Sequence, residues 1–265
     1  MMNDGNEISH HTKLYGFIGE FAGQSSVSAK LNKIFKAKSK DAMMIPMNIR
    51  EDDFYFTVSN MKKSHVNGAF ISTEYVTNVV ELLDESSEIV KHSGMCDILI
   101  RDGEKLIGDI LSIEALREFL KKRGAEKVAL IGINHYAKAF AFNAQEFEVS
   151  YFNDDLESLM SFTTDMKVVD ADINRIADRM DVDFSSYDAV IDFSDIQSFN
   201  MVNNLSATNI DLKLKKQFSA LKTRAHELEA SYIGFDELCD EFSEAVFEYF
   251  KEKKHLDYDK SDMRF

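Results

Sequence analysis

Two α/β series in tandem are encoded by this chain of 265 residues. Three observations lead there. Apolar residues alternate between short strand-like runs and helix-like spacing along most of the length. The dipeptide Asp102-Gly103 joins two apolar runs, a strong hairpin signal that closes the first series. A fresh apolar run, Lys127 to Gly132, then restarts the alternation.

In chain order, Leu14 to Phe21 reads as a first strand. A helix follows from near Ser26 or Ser28, with Leu31, Ile34 and Phe35 on one face. Ala42 to Ile49 is a second strand, Glu51 to Met61 a helical stretch, Gly68 to Thr73 a third strand and Tyr75 to Leu83 the helix behind it. Cys96 to Arg101 and Lys105 to Ile110 form the hairpin. Ser112 opens a helix to about Arg123, with Glu114 and Glu118 early and Lys121, Lys122 and Arg123 late, the charge order that suits the helix dipole. In the second series the strands are Lys127 to Gly132, Phe147 to Phe152, Met166 to Val169, Tyr187 to Phe193 and Thr208 to Leu212, with a helix from His135 after the first. A final amphipathic helix spans about Phe235 to Phe250, where Phe235, Leu238, Phe242, Val246 and Tyr249 recur every three or four residues.

Composition narrows the function. Lys and Arg number 31 against 46 Asp and Glu, a net charge of −15, which repels nucleic-acid backbones and anionic membranes. No apolar run approaches the roughly 20 residues of a membrane span, and the N-terminus has no apolar signal core, so a cytoplasmic protein is expected. There is one proline, Pro46, and only 11 glycines, so glycine-rich phosphate loops have little raw material. Cys96 and Cys239 read as core sulfur. The histidines show no i, i+4 pair and the acids no calcium-loop layout, so no metal site is expected.

Specific residues carry a resemblance to the shikimate dehydrogenase family, from about Lys13 to Phe250. Tyr15-Gly16-Phe17-Ile18-Gly19 looks like the family's first strand, and Ser26-Val27-Ser28-Ala29 like its S-x-S-P, whose hydroxyls hold a substrate carboxylate. Gly68-Ala69-Phe70-Ile71-Ser72 resembles G-x-N-V-T, and Gly94-Met95-Cys96-Asp97-Ile98 resembles G-A-V-N-T. The resemblance implies an α/β, two-domain fold: a shikimate-dehydrogenase-like substrate domain over 13–111, completed by a helix over 235–250, plus a Rossmann-like domain over 112–234. The stretches 1–12 and 251–265 are expected as flexible tails. In the family, a hydride moves between NADPH and 3-dehydroshikimate.

Departures from the family pattern fall on its chemistry. The catalytic lysine falls on Val76 and the catalytic aspartate on Ser112; the two substrate asparagines fall on Phe70 and Asp97, and the late glutamine on Glu241. The family's lysine and aspartate handle a proton beside the reacting hydroxyl, which requires a titratable group within reach. The glycine turn G-A-G-G-A corresponds to Gly132 through Ala137, where Gly132 and the small Ala137 remain but Asn134, His135 and Tyr136 replace the middle. The NADP-type arginine run corresponds to Asn153-Asp154-Asp155; Asp154 repels a 2′-phosphate and suits an NAD ribose instead.

The first expectation is therefore a catalytically degenerate relative, binding a small polar or carboxylate-bearing molecule near Ser26, Ser28, Ser72, Asp97 and Glu241. No catalytic residue is assigned and no cofactor is expected; NAD is the dinucleotide the residues would suit, through Gly132, Asn134, Ala137 and Asp154. The alternative is a working NAD(P)-dependent oxidoreductase of the shikimate or quinate dehydrogenase type with a relocated acid, Asp97 or Glu241. A third is an acidic scaffold for a protein partner, and a homodimer is left open. Each residue also has a plain structural reading. Ser26, Ser28 and Ser112 suit helix caps, Ser72 and Asp97 suit solvated strand ends, and Asn134 to Tyr136 suit a plug in the dinucleotide crevice.

Overall fold

The computed structural model describes residues 11–142 and 144–253. Strand β1 (Lys13–Gly19) is followed by helix α1 (Val27–Ala37), β2 (Ala42–Asn48), α2 (Glu51–Met61) and β3 (Val66–Ile71). Short β4 (Glu85–Ser86) and α3 (Glu88–Ser93) lead to the hairpin of β5 (Ile98–Asp102) and β6 (Lys105–Asp109). These strands form one mixed sheet in the order β2-β1-β3-β5-β6-β4. Strand β1 is parallel to both neighbours, with Phe17 opposite Pro46 on one side and Phe70 on the other. Proline is tolerated in β2 because that strand is the sheet edge, where a missing N–H breaks no ladder. The hairpin pairs Asp102 with Lys105, and Gly103 takes φ +58°, the left-handed backbone that an Asp-Gly turn anticipates.

Helix α4 (Ser112–Lys122) carries the chain into the second domain. There β7 (Lys127–Ile131), α5 (His135–Phe142), β8 (Glu148–Asn153), α6 (Leu156–Asp165), β9 (Asp172–Arg175), β10 (Val182–Asp183), β11 (Ala189–Asp192), β12 (Val202–Asn204), β13 (Thr208–Asp211) and α7 (Ala220–Glu227) follow in turn. Five strands lie parallel in the order β13-β11-β7-β8-β9, so their C-terminal ends open on one side, where α/β sheets place ligands. Central β7 is buried from Val128 to Ile131, as a strand covered on both faces requires. Strands β10 and β12 pair separately.

The last helix, α8 (Cys239–Glu252), packs on the first domain. Phe250 stacks on Tyr15 with ring centroids 4.1 Å apart, and Phe247 and Phe242 lie 6.1 and 6.3 Å from Phe35 and Phe70. The regular helix begins at Cys239 and not at Phe235, although Phe235 and Leu238 are buried in the turn before it. Among the described residues no helix is long and apolar enough to cross a membrane.

Two expected elements are corrected. Tyr75 to Leu83 forms no α-helix; only Asn78–Leu82 makes a 3-10 turn. The Val76 carbonyl instead accepts the N–H of Cys96, and the β-branched Val76, Thr77, Val79 and Val80 disfavour the longer helix. Met166 to Val169 is a turn and not a strand, with Lys167 at φ +54° and Asp170 at φ +51°. The sheet takes the polar segment Asp172–Arg175 as its edge instead, where one side of the ladder needs no partner and no apolar run. Of the expected tails, 1–10 and 254–265 lie outside the described residues, while Lys251 and Glu252 continue α8.

The two domains meet at α3 and α5. His135 Nδ1 lies 2.7 Å from the Ser93 carbonyl, and the rings of His92 and Phe142 are 4.9 Å apart. Gly94, at φ +71°, leaves the space that His135 fills.

Candidate functional site

The gap between the domains is bounded by the end of β3, the start of α5 and the ends of β11 and β13. A cavity of about 350 Å³ there is lined by Thr73 from the first domain and Asn134, Tyr136, Asp192 and Lys213 from the second. Tyr136 stacks on Phe193 with centroids 5.6 Å apart and forms an aromatic wall. Burial pushes its hydroxyl well above the usual tyrosine range, with the acids Asp97 and Glu74 adding to the shift.

On the first domain's side, Asp97 is 1% exposed. Its carboxylate accepts the N–H groups of Leu111 and Ser112 at 2.7 and 2.9 Å and the Ser112 hydroxyl. Burial outweighs these bonds and raises the carboxyl to about 6. Asp97 is therefore neither solvated nor open to a ligand in this state: from the bend just before β5 it caps the start of α4. Ser112 is corrected accordingly. It is the first residue of α4 and not its side-chain cap, and its hydroxyl serves Asp97. Where the family resemblance expects asparagine at the first position and aspartate at the second, this chain has exchanged the carboxylate across a direct contact.

The lysine position holds Val76, 4% exposed in the apolar core, and the other asparagine position holds Phe70, packed 5.7 Å from Phe17. Ser72 is also inward and not a solvated strand end; its hydroxyl donates to Glu74 at 2.5 Å, and Glu74 accepts the Glu20 N–H at 2.7 Å. Glu74 was not singled out from the sequence, because its position two residues after Ser72 gives no signal until β1 and β3 lie side by side.

Neither Ser26 nor Ser28 caps α1 through its side chain, which corrects that reading; Ser25 Oγ accepts the Val27 N–H at 3.3 Å instead. Ser28 Oγ is buried without a hydrogen-bond partner, and so is Thr73 Oγ1. Ser26 lines a neighbouring cavity with Gln24, Lys213, Lys215 and Lys222. Glu241 lies elsewhere, in an acidic groove between α4 and α8 beside Glu114 and Glu244.

At the turn that the resemblance aligns with a glycine-rich one, Asn134 Oδ1 accepts the N–H groups of Tyr136 and Ala137 at 3.0 and 3.2 Å. These are the unpaired donors of a helix start that a bound anion would otherwise meet. Gly132 keeps its glycine for a packing reason: at φ +97°, an added Cβ would lie 2.8 Å from the Phe193 and Ser194 backbone. Asp155, not Asp154, caps α6 by accepting the Glu157 N–H at 3.0 Å, which leaves Asp154 exposed at the end of β8.

Two residues missed from the sequence, Asp192 and Lys213, stand at the ends of β11 and β13. Asp192 Oδ1 accepts the Ser194 N–H and hydroxyl, while Oδ2 is buried without a hydrogen bond, 3.8 Å from Lys213 Nζ. Burial raises this carboxyl to about 6. Strand-end position was the available signal.

The fold and the gap define a two-domain α/β protein, a substrate-domain-like sheet followed by a Rossmann-like one. Comparison with known proteins agrees. Stretches of the chain are 27% identical over 139 residues to the shikimate dehydrogenase (NADP(+)) of Pyrococcus furiosus, covering 51% of each chain. They are 32% identical over 102 residues to that of Dictyoglomus turgidum, covering 38% of this chain and 37% of that one. The chain thus spans about half the length, or less, of the curated relatives it matches. No family model matches. Among solved structures, an Ael1 enzyme from Pseudomonas putida superposes with a TM-score of 0.72 at 14% identity, covering 93% of this chain and 99% of that one. A shikimate dehydrogenase in complex with NADP+ gives 0.71 at 16%, covering 93% and 92%. The shikimate 5-dehydrogenase of Thermus thermophilus, in complex with shikimate, gives 0.69 at 11%, covering 91% and 93%. The chain is thus similar to shikimate dehydrogenases in sequence over part of its length, and in fold over most of it.

Proposed function

We propose that this chain binds a small polar, carboxylate-bearing molecule in the interdomain gap and does not run the family's hydride exchange. The observation that carries this is what occupies the family's reacting positions. Val76 offers an isopropyl group, and Ser112 is spent on Asp97. A general acid must reach the proton it moves, and the Asp97 carboxylate is turned onto α4 and sealed from the gap. The residues at the nucleotide turn fit a dinucleotide poorly as well, since Asn134 already satisfies the helix donors a pyrophosphate would use. Ser26, and Ser28 with its unpartnered hydroxyl, are the residues proposed to meet the ligand carboxylate.

A second reading, an NAD-dependent oxidoreductase with altered residues, is favoured by one observation: Asp154 stands exposed at the end of β8, where a ribose hydroxyl would be met. Thermal shift with shikimate, quinate, NAD, NADH, NADP and NADPH separates the two. The binding reading expects a hydroxy acid to raise the melting temperature without any dinucleotide doing so. Dinucleotide-dependent turnover of shikimate or quinate by the purified protein overturns it.

A further inference from the structure

Lysines gather on one wall of the gap, although the chain carries a net charge of −15. Lys213, Lys215 and Lys222, from the end of β13 and the start of α7, line a cavity of about 300 Å³ that reaches Gln24 and Ser26 of the first domain. Like charges brought together in so small a volume repel one another unless an anion lies among them. Neither Lys215 nor Lys222 is ion-paired among the described residues. Lys222 Nζ stands 5.5 Å from the Tyr232 ring centroid, and that ring is held by its hydroxyl donating to Asp211 at 2.8 Å. Lys213 is the ammonium 3.8 Å from Asp192, too far for a hydrogen bond. Two acids share the cavity wall, Asp236 and Glu237, and Glu237 already accepts the Gly234 N–H at 3.0 Å.

We propose that this cavity binds a compact anion with more than one negative charge, a phosphate group or a polycarboxylate, held by Lys213, Lys215 and Lys222 with Gln24 and Ser26 supplying neutral donors. The inference rests on the reading that Ser26 faces the ligand, and it adds the lysines and the ligand's charge. A lysine stem lies along apolar surface while its ammonium stays in water, so lysines that line one cavity can turn their heads to one anion without burying any of the charges. Lys213 belongs to both cavities, so an anion beside Ser26 draws it from Asp192.

The test measures melting temperature at constant ionic strength, balanced with sodium chloride, in sodium phosphate, citrate and acetate. It compares the wild type, K215A/K222A, and K33A/K63A, whose lysines lie outside the cavity lining. Far-UV circular dichroism checks the fold, and calorimetric titration gives affinities. Phosphate or citrate is expected to stabilise the wild type and K33A/K63A more than chloride or acetate does, with K215A/K222A binding about tenfold more weakly. The better of phosphate and citrate identifies the source of the charge. An equal response in K215A/K222A, or a wild-type response no larger than that to chloride, overturns the proposal. Failure of shikimate and quinate to bind while phosphate or citrate does would sink the hydroxy-acid reading alone.

Discussion

Asp97→Asn sets burial against hydrogen bonding at one side chain. Taking the carboxyl out of water moves it from 3.8 to about 6, the largest influence upon it, against three hydrogen bonds that favour the anion. At 1.36 kcal/mol per unit, the folded state carries about 3 kcal/mol of disadvantage once the group is ionised in both states. Because the folded value lies above the unfolded one, the protonated group's contribution to stability is complete below about pH 4. It is lost as pH rises through about 6. The amide removes the titration but offers one acceptor oxygen to the two N–H groups of Leu111 and Ser112, a cost of about 1–3 kcal/mol at every pH. Near pH 4 the variant is therefore expected to be less stable than the wild type, and near pH 7.5 to match or exceed it, a relative gain of about 3 kcal/mol. Asp192, also raised to about 6, titrates in both proteins and cancels in the difference. Urea unfolding followed by circular dichroism across this range measures it. A pH-independent difference, or a wild type that gains on the variant toward neutrality, refutes the dominance of burial.

Three further outcomes are expected. Gly132→Ala drives a Cβ to within 2.8 Å of backbone at φ +97°, so unfolding calorimetry should show a loss above about 2 kcal/mol. Asn134→Ala should cost about 1 kcal/mol by removing the α5 cap; Asn134→Gly should cost only a few tenths and, by freeing the donors of Tyr136 and Ala137, add a thermal shift with NAD that the wild type lacks. Phe250→Ala removes the ring stacked on Tyr15 and should cost about 3–5 kcal/mol, read as loss of near-UV dichroism from the first domain.

Most strands were legible because their apolar runs are buried on both faces, as at Val128–Ile131 and at Phe17 and Ile18. The hairpin was legible because Asp102-Gly103 has a local conformational preference. Where local pattern and sheet position disagreed, position prevailed. The apolar Met166 to Val169 became a turn, and polar Asp172–Arg175 became the edge strand. Val76 gave up a helix to accept a hydrogen bond from Cys96, twenty residues away in the chain.

The residue types at the positions that the resemblance aligns with the family's site were determined by the sequence alone: an isopropyl side chain at Val76, a hydroxyl at Ser112 and an amide at Asn134 are facts of covalent chemistry that no fold alters. Tertiary structure decided what those groups do. Asp97 meets Ser112, Asn134 turns back onto its own helix, and Lys213 stands between Asp192 and the lysine-lined cavity. Each outcome depends on which strand end or helix start lies within about 3–4 Å, because hydrogen bonds form only at that range and charges act most strongly there.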